Sequence, residues 1–288
     1  MSMQSGRPKP FDKLVDLPLP QLRGPRELGL DGIRAAGGPH RALEQLAERL
    51  EQRANRLEAA RDPACVFARA YAELSRRLAD GLHKAGWSDP EWVALLTVRM
   101  AEQYLRALNE RAAGTLAHGV WASSFEASDQ RETSVREELV LGLTACLVHD
   151  LPHALCDVGM HAPDGESRLR DYHDINEVWG QAIEDISVAL TRRYEPWLGA
   201  ADQMPDAYAV MLTNQGLRIA RATAWYNAQR LQDPALAPRT RAALSRWSDI
   251  TLYELLHPPV WSMRFVARGA RLLSRVTRSF PGVRAGIR

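Results

Sequence analysis

Within the run Glu137 to Asp157, EELVLGLTACLVHDLPHALCD, one polar stripe carries five residues that can ligate a metal, move a proton or act as a nucleophile: Cys146, His149, Asp150, His153 and Asp157. Wound at 100° per residue, they fall within an arc of about 100°, with Gly142 on the same side. The rest of the run is apolar all round, so the helix it predicts is a buried one. Ionisable groups there are costly unless paired, hydrogen-bonded or ligated. The stripe is therefore a candidate site.

Several chemistries fit it. His149-Asp-Leu-Pro-His153 puts two imidazoles one turn apart, as in zinc-protease helices, and makes His149, Asp150, His153 and Cys146 candidate ligands for a divalent metal, Zn or Mg. Against this, Asp stands where such proteases have the catalytic Glu, and Pro152 interrupts the aligning turn. Metal-free acid–base chemistry would use His149 and Asp150, with Asp171 and Asn176 opposite as further catalytic groups. In a variant, the carboxylates hold Mg²⁺ against a diphosphate, by analogy with isoprenoid cyclases. However, Asp171-x-x-Asp174 is only a fragment of their Asp-rich motif. A Cys146 nucleophile beside His149 is a further reading. Alternatively, Asp150, His149, Asp171, Asn176 and Arg221 form a closed network that fixes helix register.

Two other stretches supply the opposing groups. In DYHDINEVWGQAIEDI the apolar residues Ile175, Val178, Trp179, Ile183 and Ile186 define the inward face. Asp171 and Asn176 flank that face with Tyr172 between them, while His173 and Glu177 point to water. In LRIARATAWYNAQRL, Arg218, Arg221 and Trp225 fall on adjoining turns, so a guanidinium is expected to point inward beside the indole. It would neutralise Asp150 or Asp171, or bind an anionic substrate group. Arg221, Trp225, Trp179 and Tyr172 are thus the expected substrate-binding residues.

The elements that must position these groups all read as helices. Residues 1–38, rich in Pro and Gly, predict an extended arm; 39–258 predict a single helical-bundle domain; 259–288 predict a basic amphipathic C-terminal helix on or beside it. Helices are expected over Pro39–Ala60, from Asp62-Pro63 to Gly81, and from a Ser88–Glu91 capping box to about Ala113. A short segment covers Trp121–Ala127. A Ser134–Glu137 capping box opens the central helix, which Pro152 should bend. Further helices follow over Ser167–Tyr194, Pro205–Leu231, Pro238–Leu256 and Pro259–Phe280. No segment alternates with period two. The expected fold is an all-α bundle of about eight or nine helices around a buried central one.

The chain has 288 residues, 45% hydrophobic and 25% charged, which are ordinary globular values. Its formal net charge of +2 gives no reason to expect a nucleic-acid partner. Three cysteines do not suggest a disulfide scaffold. Residues 1–30 lack the apolar core of a signal peptide and no run is expected to span a bilayer, so a cytoplasmic location is expected. Residues 264–288 hold seven arginines and no acid. That Arg-rich C-terminus predicts either a helix packed on the bundle or peripheral contact with an anionic membrane.

The stretches DPEWVALLTVRMAEQYLRAL, GLTACLVHDLPHAL, DYHDINEV and RATAWYNAQRL resemble a bacterial family known as domain of unknown function 5995. The likeness runs from about Ala64 to Leu231. The family's second motif is similar to Gly-x-Asn-Ala-His-x-x-x-Asp-Leu-x-x-Ala-Leu. Here Gly142, Ala145, Asp150, Leu151, Ala154 and Leu155 fit it, with Thr144 in place of Asn and Cys146 in place of His. Asp171, Asn176, Arg221 and Trp225 match the other motifs. The resemblance implies an all-helical fold and a site between these helices, without a reaction. The leading expectation is an enzyme acting on a mostly apolar, isoprenoid-like or anionic small molecule by lyase-, cyclase- or hydrolase-type chemistry. The other is a non-catalytic helical ligand-binding or regulatory module.

Overall fold

Every regular element among the described residues is helical. The computed structural model describes residues 30–84, 86–116, 118–130, 133–196 and 212–257, together with 268, 269, 271, 272, 274 and 278–281. In order the helices are α1 (Leu30–Ala35), α2 (Pro39–Ala59), α3 (Cys65–Leu82), α4 (Pro90–Ala112), α5 (Val120–Asp129) and α6 (Val135–Thr144). A π-helical turn (Ala145–Asp150) follows, then α7 (Leu151–Val158), α8 (Leu169–Tyr194), α9 (Asn214–Gln232) and α10 (Ala237–Leu256). The all-α class is as expected.

Local chemistry explains several helix starts. Ser134 and Glu137 form a reciprocal capping box at α6, as predicted. At α4 the cap is Asp89 rather than Ser88, its side chain accepting from Trp92 N, with Pro90 in the first turn. Asp62 accepts from Ala64 N at 2.9 Å, and α3 proper begins at Cys65. Thr213 caps α9, which begins at Asn214; the expected start at Pro205 lies outside the described residues. Residues 30–38 differ from the expected arm. They include α1, whose Ile33 is buried against the core, because an apolar side chain there finds α4 and α2 to cover it. Most of the predicted C-terminal helix, like residues 1–29, lies outside the described residues.

The segment α6–π–α7 runs through the middle, contacted by α3, α4, α5, α8, α9 and α10. Contrary to the expectation that no run is long enough, its 24 residues Val135–Val158 are long and apolar enough to cross a membrane. Most of this stretch is buried inside the protein itself, as in a core helix. Close approach depends on two glycines. A Cβ on Gly142 would stand 2.2 Å from the Phe67 ring, and one on Gly180 would stand 2.2 Å from Asn214 Oδ1. The first lets α6 meet α3; the second seats the start of α9 on α8.

Candidate functional site: an aromatic-bracketed arginine beside the central helix

Pro152 has no N–H and its ring would collide with a carbonyl one turn back. The chain accommodates this with the π turn, in which Leu151 N–H bonds to Cys146 O, five residues earlier. The extra residue turns everything after it by about 100° relative to an unbroken α-helix. Across this turn His149, Asp150 and His153 remain neighbours. Cys146, fully enclosed, interacts with Tyr71, Asp150 and Arg221. Burial pushes its thiol pKa up, with the Asp150 charge adding to the effect, so the thiol stays protonated. That argues against Cys146 as a nucleophile or a thiolate ligand.

Arg221, on α9, lies near Cys146. It is 0% exposed, deep between α8 and α9. Its Nε donates to Asn176 Oδ1 and its Nη2 to the Tyr172 carbonyl at 3.4 Å. Nη1 has no hydrogen-bond partner among the described residues, and neither has the indole Nε1 of Trp179. The guanidinium carbon lies 4.3 Å from the centroid of the Tyr172 ring and 4.9 Å from that of Trp179. Trp225 completes the wall, 4.9 Å from Tyr172. Burial lowers the Arg221 pKa, partly offset by Tyr172, Cys146 and Tyr71. No carboxylate lies within ion-pair distance of it among the described residues. The sequence expectation that Arg221 points inward beside aromatic residues holds. The expectation that it neutralises Asp150 or Asp171 does not, because its polar contacts are an amide and a carbonyl.

Asp150 is already occupied. Trp121 Nε1 donates to its Oδ2 at 2.7 Å, and His149 Nδ1 meets its Oδ1 at 2.9 Å. Gln103 Nε2 donates to its carbonyl at 3.3 Å. His149 is 30% exposed, and its ring lies 5.4 Å from that of His153. Burial, then the neighbouring His149, lowers the His153 pKa.

Asp171 stands elsewhere, which corrects the proposal that it faces Asp150. Its two oxygens accept from the backbone N–H groups of Ser88 (2.8 Å) and Asp89 (2.6 Å), at the N-terminal end of α4. Gln103, the α4 residue that meets Asp150, is 14 positions further on, about 20 Å along the helix axis. Asp171 and Asp150 therefore do not share a hydrogen-bond network. Asn176 is likewise committed to Arg221 rather than opposing Asp150. His173 and Glu177 are exposed, as expected, and Glu177 pairs with Arg218. No three His, Cys, Asp or Glu side chains gather as a metal-ligand group among the described residues. Of the candidate set, His149 meets Asp150 and lies near His153, while Cys146 is enclosed beside Tyr71 and Arg221, and the four do not form such a group.

Sequence reasoning missed three things. Tyr71 and Trp121, the partners of Cys146 and Asp150, come from α3 and α5 and carry no motif. Glu138, fully enclosed, accepts from Ser128 and Thr133 and lines a small cavity with Phe67, Tyr104, Trp121 and Phe125. Two C-terminal arginines reach inward: Arg271 binds Glu137, and Arg278 binds Glu195 at 3.1 Å. A glutamate pair in the first turn of a buried helix was the available signal, since buried carboxylates require partners.

Fold and site together define an all-helical protein built around a buried arginine that lacks a carboxylate partner among the described residues. The model of a family of unknown function (DUF5995) matches residues 43–285, most of the chain, and the protein belongs to that family. No curated protein and no solved structure matches the chain.

Proposed function

We propose that this protein is a helical ligand-binding module whose ligand is a small molecule with an anionic group held by Arg221. One observation carries the reading: a guanidinium fully removed from solvent, with Nη1 unsatisfied and no carboxylate partner among the described residues. Leaving a charge buried without a counter-ion costs several kcal/mol. The two ring faces return about 0.5–2 kcal/mol each, and the neutral oxygens of Asn176 and Tyr172 do not cancel the charge. An anion at Nη1 would. The saturation of Asp150 and Asp171 by protein donors supports binding over turnover.

The test is thermal unfolding in sodium Hepes, with chloride, acetate or phosphate replacing Hepes at fixed ionic strength. A ligand at 100 times its Kd stabilises by about 2.7 kcal/mol, a rise of a few degrees for a chain of this size. A melting temperature indifferent to every anion would refute the proposal.

A second reading rests on His149. Its Nδ1 is held by the buried Asp150 while the ring remains part-exposed, the arrangement of an oriented general base. It predicts slow hydrolysis of an activated ester such as p-nitrophenyl acetate. Equal rates in His149→Gln would exclude it.

A further inference from the structure

We propose that the outer face of α10 is a peripheral docking surface for an anionic lipid bilayer. The helix packs on the bundle through about one residue per turn: Thr240, Leu244, Ser248 and Leu252 are buried, and most of its remaining circumference faces solvent. The solvent side of a surface helix is ordinarily polar. Here Trp247 is 63% exposed, Tyr253 64% and Ile250 39%. Wound at 100° per residue, the three span an arc of about 120°. Arg239 and Arg246, both exposed, fall within that arc, and Glu254 in the last turn is its one acid.

Two separate properties of the chain meet at this face. Every large hydrophobic side chain that stands exposed among the described residues lies after residue 213: Ile219 and Tyr226 on neighbouring α9, the three on α10, and Leu272. Positive charge gathers there too. Residues 237–288 hold ten arginines against Asp249 and Glu254, whereas the rest of the chain has 27 basic and 33 acidic residues.

A bilayer interface suits both properties at once. Indole and phenol rings bury themselves at the headgroup boundary while keeping a polar edge in water. Arginine stems lie along the apolar surface as their guanidinium groups reach anionic headgroups. A second copy of the chain would set one basic surface against another. A nucleic-acid backbone would offer Ile250 no apolar partner.

Flotation of the full chain with vesicles of phosphatidylcholine alone, and of phosphatidylcholine mixed with phosphatidylserine, tests this. Binding to the mixed vesicles should be tighter by about tenfold or more and should weaken as salt is raised. Trp247→Ser, and separately Arg239→Gln combined with Arg246→Gln, should each weaken it by about tenfold or more. These side chains are exposed, so the fold should hold. Absence of binding to either vesicle, or equal binding to both, would overturn the proposal. Vesicle binding that all of these substitutions leave unchanged would overturn it too. So would a chain that ignores vesicles and instead binds a single-stranded oligonucleotide or associates with itself.

Discussion

The Tyr172 hydroxyl donates to the backbone carbonyl of Arg221 at 2.6 Å, while the Tyr172 ring lies 4.3 Å from the guanidinium carbon of the same residue. One side chain of α8 thus holds both the backbone and the head of one residue of α9. Its phenol pKa is pushed up to about 12, chiefly by burial, so it remains a donor throughout the neutral range. The seat of Arg221 is therefore built from α8.

Tyr172→Phe keeps the ring and deletes the hydroxyl bond. We expect a loss of about 1 kcal/mol in urea unfolding with anion binding largely retained. Tyr172→Leu, which also removes the face, should weaken anion binding as well. Equal binding in the two variants would mean that the ring contact contributes nothing.

Much of this arrangement was legible beforehand, and the part that was not has identifiable causes. The inward face of α8 (Ile175, Val178, Trp179, Ile183 and Ile186, of which Val178 is only half-buried) and the Ser134–Glu137 box follow from spacing and capping chemistry alone. Helical spacing puts Asp171 on an inward edge, and it is buried, at 1%. A helical wheel shows which side a residue takes but not which neighbour it meets, and Asp171 meets the backbone at the start of α4. The Cys146–His153 stripe assumes 100° per residue through Pro152. The π turn breaks that assumption at the point where the proline makes an α-turn costly. Trp121 donates to Asp150 across 29 positions, a long-range contact with no periodic signature.

Gly142 is a packing requirement. A Cβ there would stand 2.2–2.7 Å from three atoms of the Phe67 ring, so Gly142→Ala should cost about 1–3 kcal/mol by overpacking. Gly142→Ala combined with Phe67→Leu should recover part of that loss relative to the sum of the single changes, a positive coupling measurable by a double-mutant cycle. Strict additivity would show that the close approach is not the cause.

His153 makes stability fall on acidification. Burial, then His149, lowers its folded-state pKa below the ordinary histidine value. As pH falls, the unfolded chain therefore takes up this proton first. The contribution of neutral His153 is full above about pH 6.5 and is lost as pH drops through the unfolded value towards the folded one. His153→Asn should flatten the stability profile between about pH 7 and 5. An unchanged slope would contradict the assignment.

Arg278 reaches Glu195 at 3.1 Å and Glu138 at 3.9 Å, and both carboxylates are buried. Arg278→Met should cost about 3–5 kcal/mol at pH 7 by leaving them uncompensated. Burial raises the Glu138 pKa, so its protonation should shrink this penalty as pH falls towards 5. Urea midpoints of the two proteins at both pH values measure it; a penalty that does not shrink would show that Glu138 takes no part.

The most direct measurement is urea unfolding of the wild-type chain and Arg221→Met, each with and without acetate in Hepes of fixed ionic strength. If Arg221 is an anion seat, acetate at about 100 times its Kd stabilises the wild type by about 2.7 kcal/mol and leaves Arg221→Met unchanged. Equal stabilisation of both proteins, or of neither, would contradict the account.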